Sequence, residues 1–221
     1  MLACVVAAGL ATAAALVGCG SSGSPAKVVL TTGSGIRATP PPWPPQYQGL
    51  AGRIKRLGLP RAAENKFHIH ALLSIYNQGL YVTIPANIGL DKRHGVESSL
   101  HTHDQTGIIH MEAVRRFPFT LGDFFDIWGV RFGAGTLGSL QDDGKNRVWV
   151  YVNGRRIGDP ARYVLKNRDS ISIGYGAIDS FSHYVAPVLL KKLAAGGLAC
   201  GTGGGKKHTS CLAPTHKGAK K

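Results

Sequence analysis

Acid is what this chain has least of. Its 221 residues carry 12 Asp and Glu against 26 Lys and Arg, a formal net charge of +14. From Lys191 to the C-terminus there is no acidic side chain at all, and seven lysines there supply half of the net charge. A glycine-rich run of this kind has too little apolar surface to offset the entropy of ordering, so residues 187–221 read as a basic tail. Its pull on anionic polymers is weak, nonspecific and screened by salt. No nucleic-acid motif occurs elsewhere, so no specific nucleic-acid partner is expected. Cysteine is also scarce: four residues in a chain of this length exclude a disulfide-dense scaffold. There is no nucleophile elbow, phosphate loop or dinucleotide fingerprint, so the sequence names no reaction.

Charge is missing altogether from residues 1–19, M-L-A-C-V-V-A-A-G-L-A-T-A-A-A-L-V-G-C. The run is apolar, short for a spanning helix, and ends in small residues, which is the build of a signal peptide, here 1–18. L-V-G-C at 16–19 resembles the lipobox of bacterial lipoproteins. The resemblance implies that Cys19 carries a diacylglyceryl group and becomes the mature N-terminus. A lipid anchor of that kind would hold the protein on the outer face of the bacterial cell membrane without spanning it. An ordinary secretory signal is the alternative; both place the mature protein outside the cytoplasm. Residues 19–48, with G-S-S-G-S-P and T-P-P-P-W-P-P, then read as a lipidated N-terminus and spacer, polyproline-like in part. Export favours a disulfide between Cys200 and Cys211, closing a small glycine-rich loop. His208 and His216 make a metal site in the tail the alternative, though the spacing C-x7-H-x2-C-x4-H fits no familiar zinc pattern.

Between these ends, residues 49–186 form one domain with enough chain for a core. Leu50, Ile54 and Leu57 fall at helical spacing, with Gly58 and Pro60 as the stop. Arg53, Lys55 and Arg56 read as the solvated face of that helix. F-H-I-H-A-L-L-S-I-Y alternates as a strand from Phe67 to Tyr76, turning at N-Q-G into L-Y-V-T-I-P. Residues 86–97 read as a loop, with His94 exposed among Asp91, Lys92 and Arg93. Thr120 and Asp123 make a capping box before Leu121, Phe124, Phe125 and Trp128, an apolar stripe that Gly129 ends. R-V-W-V-Y-V turns at Asn153-Gly154, and a last strand covers Ile171 to Tyr175. V-Y-V-N-G followed by L-K-N-R-D-S-I-S-I is similar to the end of β-grasp domains. The fold class expected is α+β, a mainly antiparallel sheet with one packed helix. A β-sandwich or a cupin-like barrel is the alternative.

The chemistry-bearing residues gather at S-S-L-H-T-H-D-Q-T-G-I-I-H-M-E-A, Ser98 to Ala113. Strand alternation puts His101 and His103 on one face of a first strand and His110 and Glu112 on one face of a second. With Asp104 opposite Gly107, His101 lies opposite His110 and Leu100 opposite Met111. All four polar groups then share a face, and Leu100, Ile109 and Met111 share the other. A register one residue off would mix the two sets, so the hydrophobic pattern selects the first. His68 and His70 repeat the theme. Imidazole nitrogen and carboxylate oxygen suit zinc, copper or iron. The six residues are therefore expected in one site, with His101, His103, His110 and one of His68 or His70 as ligands and the remainder orienting them. The H-x-H element is similar to the first cupin motif. F-H-I-H, L-H-T-H-D and G-I-I-H-M-E resemble patterns of uncharacterised exported proteins, which imply no activity. A metal-binding protein, a metal-dependent enzyme with Glu112 as general base, and a metal-free interaction module remain the three function classes.

Overall fold

The histidine-bearing stretch of Phe67–Asn77 forms the longest strand, β1, in a computed structural model that describes residues 36–177. Before it, helix α1 covers Leu50–Leu57 and ends at Gly58, whose φ of 63° is left-handed backbone that glycine adopts without a Cβ clash. After it come β2 (Leu80–Val82), a small hairpin β3 (Leu90–Asp91) and β4 (Val96–Glu97), then β5 (Leu100–His101) and β6 (Ile108–Ala113). Helix α2 covers Leu121–Trp128. A three-stranded ribbon of β7 (Phe132–Gly133), β8 (Thr136–Leu137) and β9 (Leu140–Gln141) follows. The chain closes through β10 (Arg147–Val152), β11 (Arg155–Arg156), a 3-10 turn at Pro160–Arg162 and β12 (Asp169–Gly176).

The main sheet runs β11-β10-β12-β1-β6-β5. β1 is parallel to β12 and antiparallel to β6, and every other pairing is antiparallel. A parallel pair cannot be closed by a tight turn; here the crossover carries α2, which places a helix over one face. First strand and last strand paired in parallel at the centre, with a hairpin on each side, is the β-grasp-like arrangement expected of an α+β domain. The sheet is open, with β11 and β5 at its ends, so neither the barrel nor the sandwich alternative is formed by the described residues. β6 and β2 occupy successive lengths of one edge of β1: β6 pairs Phe67 to Leu72 and β2 pairs Ile75 to Asn77.

Alternation sorts the two faces. Ala71, Leu73 and Ile75 of β1, Ile109 and Met111 of β6, Leu100 of β5 and Ile171 and Ile173 of β12 pack against Leu121, Phe124, Phe125 and Trp128 of α2. α2 is held at both ends. Thr120 Oγ1 accepts from Asp123 N–H at 3.0 Å, and Asp123 Oδ2 accepts from Thr120 N–H at 2.8 Å, the reciprocal capping box. At the other end Gly129 N–H donates to Asp126 O and Val130 N–H to Phe125 O, so the last carbonyls are satisfied. Gly122, a poor helix former, has a packing reason. A Cβ there would lie 2.6 Å from the carbonyl oxygen of Ala161 in the 3-10 turn.

Three expectations are corrected. The proline-rich stretch read as spacer joins the domain at its end. Trp43 is 1% exposed, its ring edge meets Trp128 at 5.9 Å, and Trp128 Nε1 donates to Trp43 O. Tryptophan buries more apolar area than a free tether can match, so this part of the chain is pinned. Arg53 is not on a solvated face: it is fully buried, and its guanidinium donates to the carbonyls of Gln48, Gln46 and Ile127. Carbonyls at loop and helix ends need donors, and a planar fork reaches several at once. Residues 86–97 contain the β3–β4 hairpin rather than only loop, and the β7–β9 ribbon was not foreseen. Residues 1–35 and 178–221, with Cys19, Cys200, Cys211, the signal peptide and the basic tail, lie outside the described residues. Among the described residues no helix is long and apolar enough to cross a membrane.

Candidate metal centre

The face of the sheet turned away from α2 carries the histidines. β1, β6 and β5 lie side by side, with β6 in the middle. Their registers set His70 opposite His110 and His110 opposite His101, a row of three imidazoles across three strands. One row along, His68 stands opposite Glu112. The hairpin register is the expected one, with Leu100 opposite Met111 and His101 opposite His110. Its turn is pinned by Asp104, whose Oδ1 accepts from Thr106 N–H at 2.9 Å. His103 lies two residues beyond the end of β5, its ring centroid 4.3 Å from that of His110.

The donor atoms meet closely. His68 Nε2 lies 2.8 Å from His70 Nε2 and 2.9 Å from Glu112 Oε1. His101 Nε2 lies 3.2 Å from His103 Nε2 and 3.8 Å from Glu112 Oε2. His110 Nδ1 lies 3.1 Å from Glu112 Oε1. The structure thus brings together all six residues expected, as two overlapping sets. One is His68, His70, His110 and Glu112; the other is His101, His103, His110 and Glu112. Within each, the four donor atoms lie within 4.8 Å of one another. Four points so spaced fit inside a sphere of radius no more than about 2.9 Å, near enough to metal–nitrogen bonds of about 2.0–2.1 Å for small rotamer changes to close the gap. Nitrogens on a tetrahedral ion would stand about 3.3 Å apart by the same bond lengths, close to the 3.2 Å between His101 and His103. Neither set is the expected one: in the second Glu112 takes the place of the fourth histidine, and the first takes both His68 and His70 with neither His101 nor His103.

One partner was not foreseen. His101 Nδ1 lies 2.8 Å from the carbonyl oxygen of Ser98. A carbonyl only accepts, so Nδ1 carries the hydrogen and Nε2 presents its lone pair toward His103 and Glu112. The tight turn of chain before β5 supplies that carbonyl, and no side-chain pattern announces it. His94 stands apart from the cluster, largely exposed, with Nδ1 2.7 Å from Asp91 Oδ2.

Burial and mutual charge favour the neutral rings of His70, His101 and His110. Burial pushes His101 down to about 3, with further lowering from the neighbouring rings of His103 and His110. His70 is pushed down to about 4 by burial and then by His110 and His68. Burial also lowers His110. For Glu112 burial favours the neutral acid, but that effect is outweighed by its imidazole neighbours, and the carboxyl is held well below its ordinary range. His68 Nε2 at 2.9 Å and His110 Nδ1 at 3.1 Å lie within hydrogen-bond distance of Glu112 Oε1, whereas His103 Nε2 at 3.9 Å does not. Neutral His70, His101 and His110 beside an ionised Glu112 are in the forms that bind a metal ion. The arrangement can hold a metal ion. Comparison with protein-family models, with curated proteins and with solved structures finds no match for this chain.

Proposed function

We propose that this is a lipid-anchored, extracytoplasmic protein that binds a transition metal, zinc, copper or iron, on the face of its sheet turned away from α2. The observation that carries the metal reading is the overlap of the two donor sets on three adjacent strands. Strands fix such groups more rigidly than loops do. L-V-G-C at residues 16–19 supports the anchor, and the basic tail supports a weak attraction to anionic polymers of the envelope. Binding is favoured over catalysis by Glu112. A carboxylate held below its ordinary range is a poor general base near neutral pH, but a good fixed negative charge beside a cation. The alternative of a metal-dependent enzyme draws on the partial exposure of His68 and His103, whose side chains are 32% and 34% accessible and leave the site open to small molecules.

The test of the metal reading is elemental analysis of the full chain, purified without a polyhistidine tag after exposure to zinc, copper and iron in turn. Bound metal that is lost in Glu112→Gln supports it. A folded chain that takes up none of the three refutes it and leaves a hydrogen-bonded interaction module. The anchor is tested separately by Cys19→Ala. Release from membranes or blocked maturation is expected; normal maturation and retention on membranes at high salt would refute it.

A further inference from the structure

Resting on the metal reading above, we infer that the centre takes two metal ions, not one, and that Glu112 bridges them. Six protein donors are more than the four a zinc-like ion commonly uses. They do not form one mutually close set but two sets of four, with His68 and His70 peculiar to one and His101 and His103 to the other. Within each pair the two Nε2 atoms are 2.8 and 3.2 Å apart, the spacing of neighbouring ligands on one ion. Between the pairs stands β6, and both of its polar side chains on this face, His110 and Glu112, belong to both sets.

The carboxylate is placed as a bridge. Its Oε1 is 2.9 Å from His68 Nε2 and 3.9 Å from His103 Nε2, and its Oε2 is 3.8 Å from His101 Nε2, so the one carboxylate lies within reach of both pairs. Each ion then has two imidazoles and one carboxylate oxygen of its own, with His110 between them. Three protein ligands leave each ion a position for a ligand from outside the protein, and paired ions of this type commonly lie about 3.5–4 Å apart. A single ion would leave either the pair His68 and His70 or the more deeply buried pair His101 and His103 with no ion to serve.

A second observation points the same way. Ser99 Oγ is buried and has no hydrogen-bond partner. Glu112 N–H donates to Ser99 O at 2.9 Å, so the two residues are cross-strand neighbours. Leu100 next to it faces the core, and alternation therefore puts Ser99 on the face of His101 and Glu112. Buried hydroxyls in folded proteins are nearly always partnered. On the same sheet face as Glu112, this hydroxyl is left to donate to an oxygen ligand carried by the ions.

The experiment uses the full chain without a polyhistidine tag, in a background of Cys200→Ser, Cys211→Ser, His208→Asn and His216→Asn so that tail donors do not contribute. It is loaded with copper(II) and measured for metal content and electron paramagnetic resonance. Two ions per chain with the signal of a magnetically coupled pair are expected. His70→Asn and His103→Asn, each checked for folding by circular dichroism, should each retain one ion and show the spectrum of an isolated centre. One ion per parent chain overturns the two-ion centre while metal binding stands. So do two uncoupled ions, or a folded single variant that keeps both ions or none. No ion in the parent overturns the metal reading itself.

Discussion

Acidifying the metal-free protein from pH 7 to pH 5 should cost it stability, and His101 sets the scale. The ring is fully buried on β5, bonded through Nδ1 to Ser98 O, and burial holds its pKa down to about 3. In the unfolded chain it titrates near its ordinary value of about 6.5. The unfolded state therefore binds the proton first as pH falls. Stability is full above pH ~6.5 and is lost progressively between there and the folded value. Integrating the difference in bound protons from pH 7 to pH 5 gives about 2 kcal/mol for this one ring. His70, held near 4, acts with the same sign over the upper part of the window. Glu112 is depressed, so its contribution is lost only as pH drops below its unfolded value of 4.5; stopping at pH 5 keeps it out. A loss of 2 kcal/mol is a large share of a total of about 5–15 kcal/mol. Urea unfolding of the EDTA-treated protein, followed by the fluorescence of the buried Trp43, Trp128 and Trp149, measures it. His101→Leu leaves the Ser98 carbonyl without its donor, so it starts less stable, but its loss between pH 7 and 5 should be smaller by about 2 kcal/mol. A parent whose stability is flat over that range, or a variant just as sensitive as the parent, would refute the argument.

The helix offers a test in which two rules oppose each other. Alanine should beat glycine inside a helix by about 1 kcal/mol, yet Gly122→Ala should destabilise, because its Cβ would meet Ala161 O at 2.6 Å; thermal unfolding decides the sign. Trp43→Ala should cost about 3–5 kcal/mol, the range for emptying a large buried aromatic site, whereas a tether residue would cost nothing measurable in urea. Zinc, copper or iron at a free concentration 100 times its dissociation constant should stabilise the native protein by about 2.7 kcal/mol, reversed by chelation, if it binds only the folded chain. The same addition to Glu112→Gln should give a smaller shift in the unfolding midpoint.

Local chemistry settled much of this protein in advance. Alternation alone puts His68 with His70 and His110 with Glu112, because strand side chains repeat every two residues. The hairpin register was legible because only one pairing keeps Leu100 and Met111 together, and burial enforces that pairing. Thr120, Asp123 and Gly129 marked α2 because caps are short-range hydrogen-bond chemistry. What no local pattern carries is the pairing of β1 with β6, whose strands are far apart in sequence. Only that register sets His68 against Glu112 and divides six donors into two sets that share His110 and Glu112. The carbonyl of Ser98 that fixes the His101 ring belongs to the backbone and has no sequence signature. Trp43 and Arg53 were misread for the same reason. Proline-rich composition and a basic helix face speak for solvent. The folded chain instead set Trp128 beside one and the carbonyls of Gln46, Gln48 and Ile127 around the other. Burial is decided by what the rest of the fold brings near, which is a property of the tertiary structure and not of the segment.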